Sequence, residues 1–209
     1  EVSSRQWWRE VVLFTAILVA AYFALGWLGE ALAARCPDAW EAKFADGWKE
    51  GVQSDSPDQG AERVQRIFRD VLAHASPQRN LPYTVHLAAP GNGPNAFAAP
   101  GGVIMVTPEL LALVESDEGL AFILAHELGH HEHRHVLRRA GRRLMLALAV
   151  ALVSQNSGDQ VLSSTVSFGE LAFSRQQERE ADLHAIGVSR AMFGNSDKAL
   201  EFFEDMVKT

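Results

Sequence analysis

The stretch His126-Glu127-Leu128-Gly129-His130 constrains this chain more than any other. Residues four apart on an α-helix share one face, a single turn apart, so two imidazoles at this spacing meet one cation only if the segment is helical. Glu127 lies round the helix from the pair and can face a water without displacing a ligand. Two histidines with a carboxylate form a zinc-binding set that leaves a fourth position for water, whose pKa falls towards neutrality. Five residues can also match such a pattern by chance, so a third ligand must come from elsewhere in the chain. The residues just before it, Leu120-Ala121-Phe122-Ile123-Leu124, are apolar, as suits a helix running through the centre of a domain where ligands are best held.

A second constellation offers that ligand. Ser174-Arg175-Gln176-Gln177-Glu178-Arg179-Glu180-Ala181-Asp182 is compatible with a helix. Glu178 and Asp182 are four apart and share a face. Glu178 can complete the coordination, while Asp182 can accept the outer N–H of a ligand histidine and so fix its tautomer. Glu180 is the rival third ligand, directed to another side of the helix. A solvated acidic face is the competing reading of any such carboxylate pair.

Three motifs together, the HELGH helix, the E-x-x-A-D run from Glu178, and Asn95-Ala96-Phe97-Ala98-Ala99-Pro100-Gly101-Gly102, resemble the HtpX, Oma and BepA-like gluzincin metallopeptidases. This is peptidase family M48, which also holds the CAAX prenyl-protein endopeptidases. The likeness in motif order and spacing runs from about Val64 to Ala199. It implies a zinc-dependent endopeptidase with one zinc per chain, and Glu178 rather than Glu180 as ligand. It also implies that Asn95, Ala96 and Phe97 belong to an edge strand beside the zinc. Such a strand has unpaired backbone groups and can take an extended peptide as an added strand. The residues alone give two short strands joined by a glycine-rich turn, for which an ordinary hairpin with a buried Phe97 is the alternative.

The N-terminal part has another character. Val11 through Gly29 contains no charged residue, and about 20 such residues span the hydrocarbon core of a bilayer as a helix. Trp7, Trp8 and Trp27 stand near its ends, where interfacial anchors belong. A signal peptide or a buried core helix would be the other readings. Arg5 and Arg9 precede the span, which favours a cytoplasmic N-terminus. The expectation is a single-pass protein of a bacterial inner membrane with its catalytic domain on the periplasmic side. Cys36 is the one cysteine, so no internal disulfide can form. A net charge of −7 argues against a nucleic-acid partner. The expected partners are polypeptide substrates and the bilayer; no oligomeric state is implied.

The expected organisation is a membrane anchor over residues 1–35, a connector over 36–57, and a zinc peptidase domain over 58–209. Trp40, Phe44 and Trp48 fall at helical spacing and suggest a helix that covers the core or lies on the membrane. Val64, Ile67, Phe68, Val71 and Leu72 line one face of a helix ending near Ser76-Pro77. Thr107-Pro108 and Ser116 read as helix starts. Leu144 to Val153 is apolar but too short to span a bilayer, so a buried helix is expected. A long helix should run from about Val161 to Arg190, and Ser196 should cap a last one. The fold class is α+β: mainly helical, with a small antiparallel sheet beside the zinc, preceded by one transmembrane helix.

In the chemistry this implies, zinc polarises the scissile carbonyl while Glu127 takes the proton of the attacking water and delivers it to the leaving amine. His131, Arg175 and His184 all remain open as the donor to the oxyanion. The expected role is quality control of unfolded, damaged or misassembled proteins. A chaperone or adaptor with a little-used zinc site, or a protease dedicated to one substrate, are the alternatives. Glu127 weighs against the chaperone, since a structural zinc site has no use for a base.

Overall fold

The structure, a computed structural model, describes residues 4–51, 59–91, 93–154 and 173–194. Its helices are α1 (Ser4–Ala33), α2 (Asp38–Glu41), α3 (Gln59–Ala75), α4 (Pro108–Leu113), α5 (Asp117–Glu132), α6 (His135–Ser154) and α7 (Arg175–Phe193), with a 3₁₀ stretch, Ala42–Gly51, after α2. The strands are β1 (Thr84–Leu87), β2 (Ala96–Ala99) and β3 (Val103–Val106). Two compact units result: α1 with α6 from Leu137 onward, and a unit beginning at Cys36 that carries the other described elements. The expected helix capped by Ser196 lies outside the described residues.

In the first unit, Gln6–Ala33 of α1 is 28 residues long and apolar enough to cross a membrane, with nearly all of its surface exposed. α6 crosses α1 closely. A Cβ on Gly29 would lie 2.4 Å from the carbonyl oxygen of Gly141, so neither position tolerates a side chain. Arg142 donates to Glu30 at 2.9 Å beside this crossing. The expectation of a buried helix from Leu144 does not hold: Ala147 is buried, but Leu144, Leu148 and Val150 are exposed. One neighbouring helix can cover only one stripe of α6.

The second unit is built round α5. Its residues Leu120 to Ala125 are all buried, because α5 is enclosed by α3, α7 and the sheet. Val64, Ile67, Phe68 and Val71 of α3 form the face the spacing predicts, and they join Val85, Ile104 and Leu124 in one core. Thr107 and Ser116 cap α4 and α5 by accepting the N–H of Leu110 and Gly119.

The sheet is mixed rather than antiparallel. Its order is β1-β3-β2, with β2 antiparallel and β1 parallel to β3. The turn Pro100-Gly101-Gly102 makes β2 and β3 a hairpin, which leaves β3 one free edge for β1. Val103-Ile104-Met105-Val106, buried at every position, is the strand suited to the centre.

Residues directly after α1 are tied into this unit. Arg79 donates to Asp38 at 2.7 Å, to Glu41, and to the carbonyl of His131 at 2.8 Å. Arg134 adds bonds to Asp38 and to the carbonyl of Cys36. Burial works against the charge of Asp38, but Arg79 and the Asn80 amide outweigh it and hold the carboxyl below its usual range. Trp40 and Phe44 do not cover the core: they are 67% and 55% exposed, while Ala45 packs against the β2–β3 hairpin. The ion cluster turns α2 so that Glu41 faces inward, and Trp40, its neighbour, faces out.

Candidate active site

Helices α5 and α7 carry the site. They can approach because position 129 has no side chain: a Cβ there would lie 3.1 Å from the Cα of Ala181 and the Cβ of His184. α7 begins with a capping box, Ser174 accepting from the Gln177 N–H and the Gln177 side chain from the Ser174 N–H. The S-x-x-Q signal is present in the sequence, whereas the expected helix started at about Val161. The part of the expected helix that falls on 161–172 lies outside the described residues. Gly194 closes the helix in a left-handed conformation.

This packing brings one donor atom each from His126, His130 and Glu178 within 4.8 Å of one another. The Nε2 atoms of His126 and His130 are 3.1 Å apart, and His126 Nε2 is 3.4 Å from Glu178 Oε2. Ligands at about 2.0–2.1 Å in a tetrahedral zinc site lie about 3.3 Å apart, so His126 stands from His130 and from Glu178 at close to the spacing such an ion needs. His126 Nδ1 lies 3.0 Å from Asp182 Oδ1. An ionised carboxylate only accepts, so Nδ1 carries the proton and the Nε2 lone pair is turned towards His130 and Glu178. The donor set therefore fits a divalent cation. Glu127, the residue after His126, is buried in α5 at 8% exposure.

Glu180 is engaged elsewhere. One oxygen meets His135 Nε2 at 2.9 Å and the other accepts from Gln176 at 3.0 Å. The Gln176 amide, then His135, hold its carboxyl below the usual range. His135 is fully buried. Phe173 stacks on the His130 ring with centroids 3.7 Å apart. Its role had no signal in the sequence, because it precedes the helix and belongs to no motif.

Of the three open oxyanion donors, His131 is removed. It is fully buried in the core, its Nε2 donates to the carbonyl of Val103 at 3.1 Å, and burial pushes its pKa down to about 4. His184 lies against Gly129, its pKa lowered by burial, and Arg175 opens α7 at an exposed position.

The strand β2 forms one edge of the sheet and packs against α5. Asn95 is not part of the free edge: its carbonyl accepts from the Thr107 N–H at 2.9 Å and its N–H donates to Thr107 Oγ1 at 2.8 Å. Antiparallel partners alternate in their bonding. With Ala96 opposite Val106 in the register, Phe97 and Ala99 turn their backbone bonds towards β3. Ala96 and Ala98 then direct theirs to the outer edge. Ala98 is buried and Ala96 half-buried, so approach is easier at Ala96. Phe97 packs partly into the small cluster with Ala99, Val103 and Met105.

Known proteins are similar to this chain in sequence. Mitochondrial metalloendopeptidase OMA1 of Saccharomyces cerevisiae is 28% identical over 134 residues, 62% of this chain and 39% of that protein. Its Schizosaccharomyces pombe counterpart is 32% identical over 57% of this chain and 36% of that protein. The beta-barrel assembly-enhancing protease of Escherichia coli is 29% identical over 45% of this chain and 22% of its own length. The chain thus spans well under half of each relative. The model of peptidase family M48 matches residues 58–209, which include every residue of the donor cluster and its supports. On that match, with its donors drawn from the two motif helices, the chain belongs to peptidase family M48.

Proposed function

We propose that this chain is a membrane-anchored, zinc-dependent endopeptidase acting on unfolded, damaged or misassembled proteins. The observation that carries the reading is the convergence of His126, His130 and Glu178, with donor atoms within 4.8 Å of one another, beside a glutamate one residue from the first ligand. These three residues would hold one zinc ion per chain. When bound, the ion would supply Lewis-acid polarisation of the scissile carbonyl and make a water more acidic. Glu127 accepts the proton of the attacking water and passes it to the leaving amine, which departs neutral. Asp182 holds the Nδ1 proton of His126, so the ring cannot turn its lone pair away from the site.

Substrate recognition is assigned to the edge of β2, with Ala96 offering an outward N–H and C=O to an extended peptide. Asn95 and Phe97 flank it, the first fixing the strand through Thr107 and the second bracing it against the sheet. Such an edge reads backbone, so selectivity comes from unfolding and access. α1 serves as a single-pass anchor. The membrane assigned is a bacterial inner membrane, and Arg5 and Arg9 before the span support a cytoplasmic N-terminus, with the peptidase unit on the periplasmic side. The relatives, a mitochondrial metalloendopeptidase and a protease that enhances β-barrel assembly, accord with a role in protein quality control.

The test is digestion of casein by the full chain, with and without a chelator, beside Glu127→Gln. Cleavage that is lost in both cases is expected. Cleavage that persists in either would overturn the zinc mechanism, and cleavage confined to one motif of a folded partner would replace quality control with dedicated processing.

A further inference from the structure

His135 lies five residues beyond His130, outside both motifs, yet it is fully buried between that ring and α7. Its two nitrogens have different partners. Nδ1 is 3.1 Å from His130 Nδ1, and Nε2 is 2.9 Å from Glu180 Oε2. With both rings neutral, only one arrangement of protons satisfies the chain of contacts from its charged end. The Glu180 carboxylate accepts, so His135 must carry its proton on Nε2. In a neutral ring that leaves a lone pair on His135 Nδ1. The facing His130 Nδ1 must then donate, which puts the His130 lone pair on Nε2, the atom gathered with His126 and Glu178.

We infer that Glu180 and His135 form a relay that sets the tautomer and orientation of His130, as Asp182 does directly for His126. His135 is a positioning residue, and the relay rests on the reading of His130 as a metal ligand. The arrangement also explains why α7 carries three carboxylates in five residues: Glu178 faces the cation, Asp182 backs one histidine, and Glu180 backs the other through His135. A direct carboxylate is not available to His130, because the ring of His135 fills the place it would occupy. Phe173, stacked on His130, holds the ring from another side, so rotation is limited by packing and the lone pair by the relay.

Two measurements on the full chain in detergent test this. The first is zinc affinity by competition with a chromophoric chelator. His135→Phe preserves a ring but offers no acceptor, and should weaken zinc binding about 10–100-fold, the usual effect of losing such a partner. His135→Asn can place an amide oxygen near the former Nδ1 and should recover most of the loss. Glu180→Leu should weaken binding and Glu180→Gln, which still accepts, should do so less. Wild-type affinity in His135→Phe overturns the relay, whereas wild-type affinity in His130→Ala defeats the ligand assignment beneath it. The second needs no substitution: ¹⁵N-resolved imidazole spectra of metal-free protein near neutral pH should show His135 protonated at Nε2 and His130 at Nδ1. The opposite tautomer at either ring overturns the inference even if the variants fail to fold.

Discussion

Replacing Arg79 with leucine should destabilise the peptidase unit by about 3–5 kcal/mol, the usual effect of stranding one partner of a buried ion pair. The loss falls unevenly. The Arg79 side chain is 7% exposed and serves Asp38, Glu41 and the His131 carbonyl. Without it, Asp38 keeps Arg134 at 2.8 Å and the Asn80 N–H at 2.9 Å. Glu41, whose side chain is 1% exposed, keeps no cation among the described residues, where its Oε1 has no hydrogen-bond partner even with Arg79 present. Most of the penalty is therefore the desolvated charge of Glu41. Glu41→Gln should be mild, about 1 kcal/mol or less, since the amide oxygen still accepts and Arg79 retains Asp38. Combining Arg79→Leu with Glu41→Leu should restore a large share of the stability, because an apolar pair needs no partner. Urea unfolding of the detergent-solubilised chain, read by pulse proteolysis, gives all three values. A cost below about 1 kcal/mol for Arg79→Leu, or equal costs for the two single variants, would refute the reasoning.

Other expectations concern the site and the sheet. Glu127→Gln should keep bound zinc while cleavage falls at least about 100-fold, measured by metal analysis and peptide hydrolysis on one sample. Asp182→Asn should weaken zinc binding about 10–100-fold in chelator competition, because the amide is a poorer acceptor for the His126 N–H. Ala96→Pro removes an outward N–H and no bond to β3, so it should raise KM for an unfolded substrate and leave zinc content unchanged. Hydrogen bonds from Arg63 and then Arg66 hold the Asp117 carboxyl below its usual range, so its contribution exists above the unfolded pKa and fades as pH falls through the folded one. Asp117→Asn should thus cost at most about 1 kcal/mol near pH 7, since the group is 44% exposed, and nothing in acid where both forms are neutral; comparing unfolding at the two pH values checks this.

What was legible in the sequence depended on local spacing. The metal helix, the Thr107 and Ser116 caps and the apolar face of α3 each follow from residues within two turns of one another. The central place of β3 between β1 and β2 was not legible, because it depends on which strand is fully buried, and that is a property of the assembled core. Trp40 and Phe44 misled for a related reason: their spacing suggested an inward face, but the charged Glu41 takes that side once Arg79 arrives from 38 residues away. In the site, Glu178 and Asp182 could be paired by spacing. His135 could not, because its partners are His130 before it and Glu180 on another helix, 45 residues on.

The donors of the cluster come from two helices whose distance is set by Gly129 against Ala181, inside a core shared with α3 and the sheet. Small metal-dependent domains such as zinc fingers are unfolded without their ion, because the ion itself closes the chain. Here the closure is done by apolar packing. Occupancy and folding are therefore separate variables for this protein. Stripping the ion would yield an idle but intact molecule that regains function when metal returns, without passing through an unfolded state. Metal supply alone could then act as a throttle on a folded reserve of the protein.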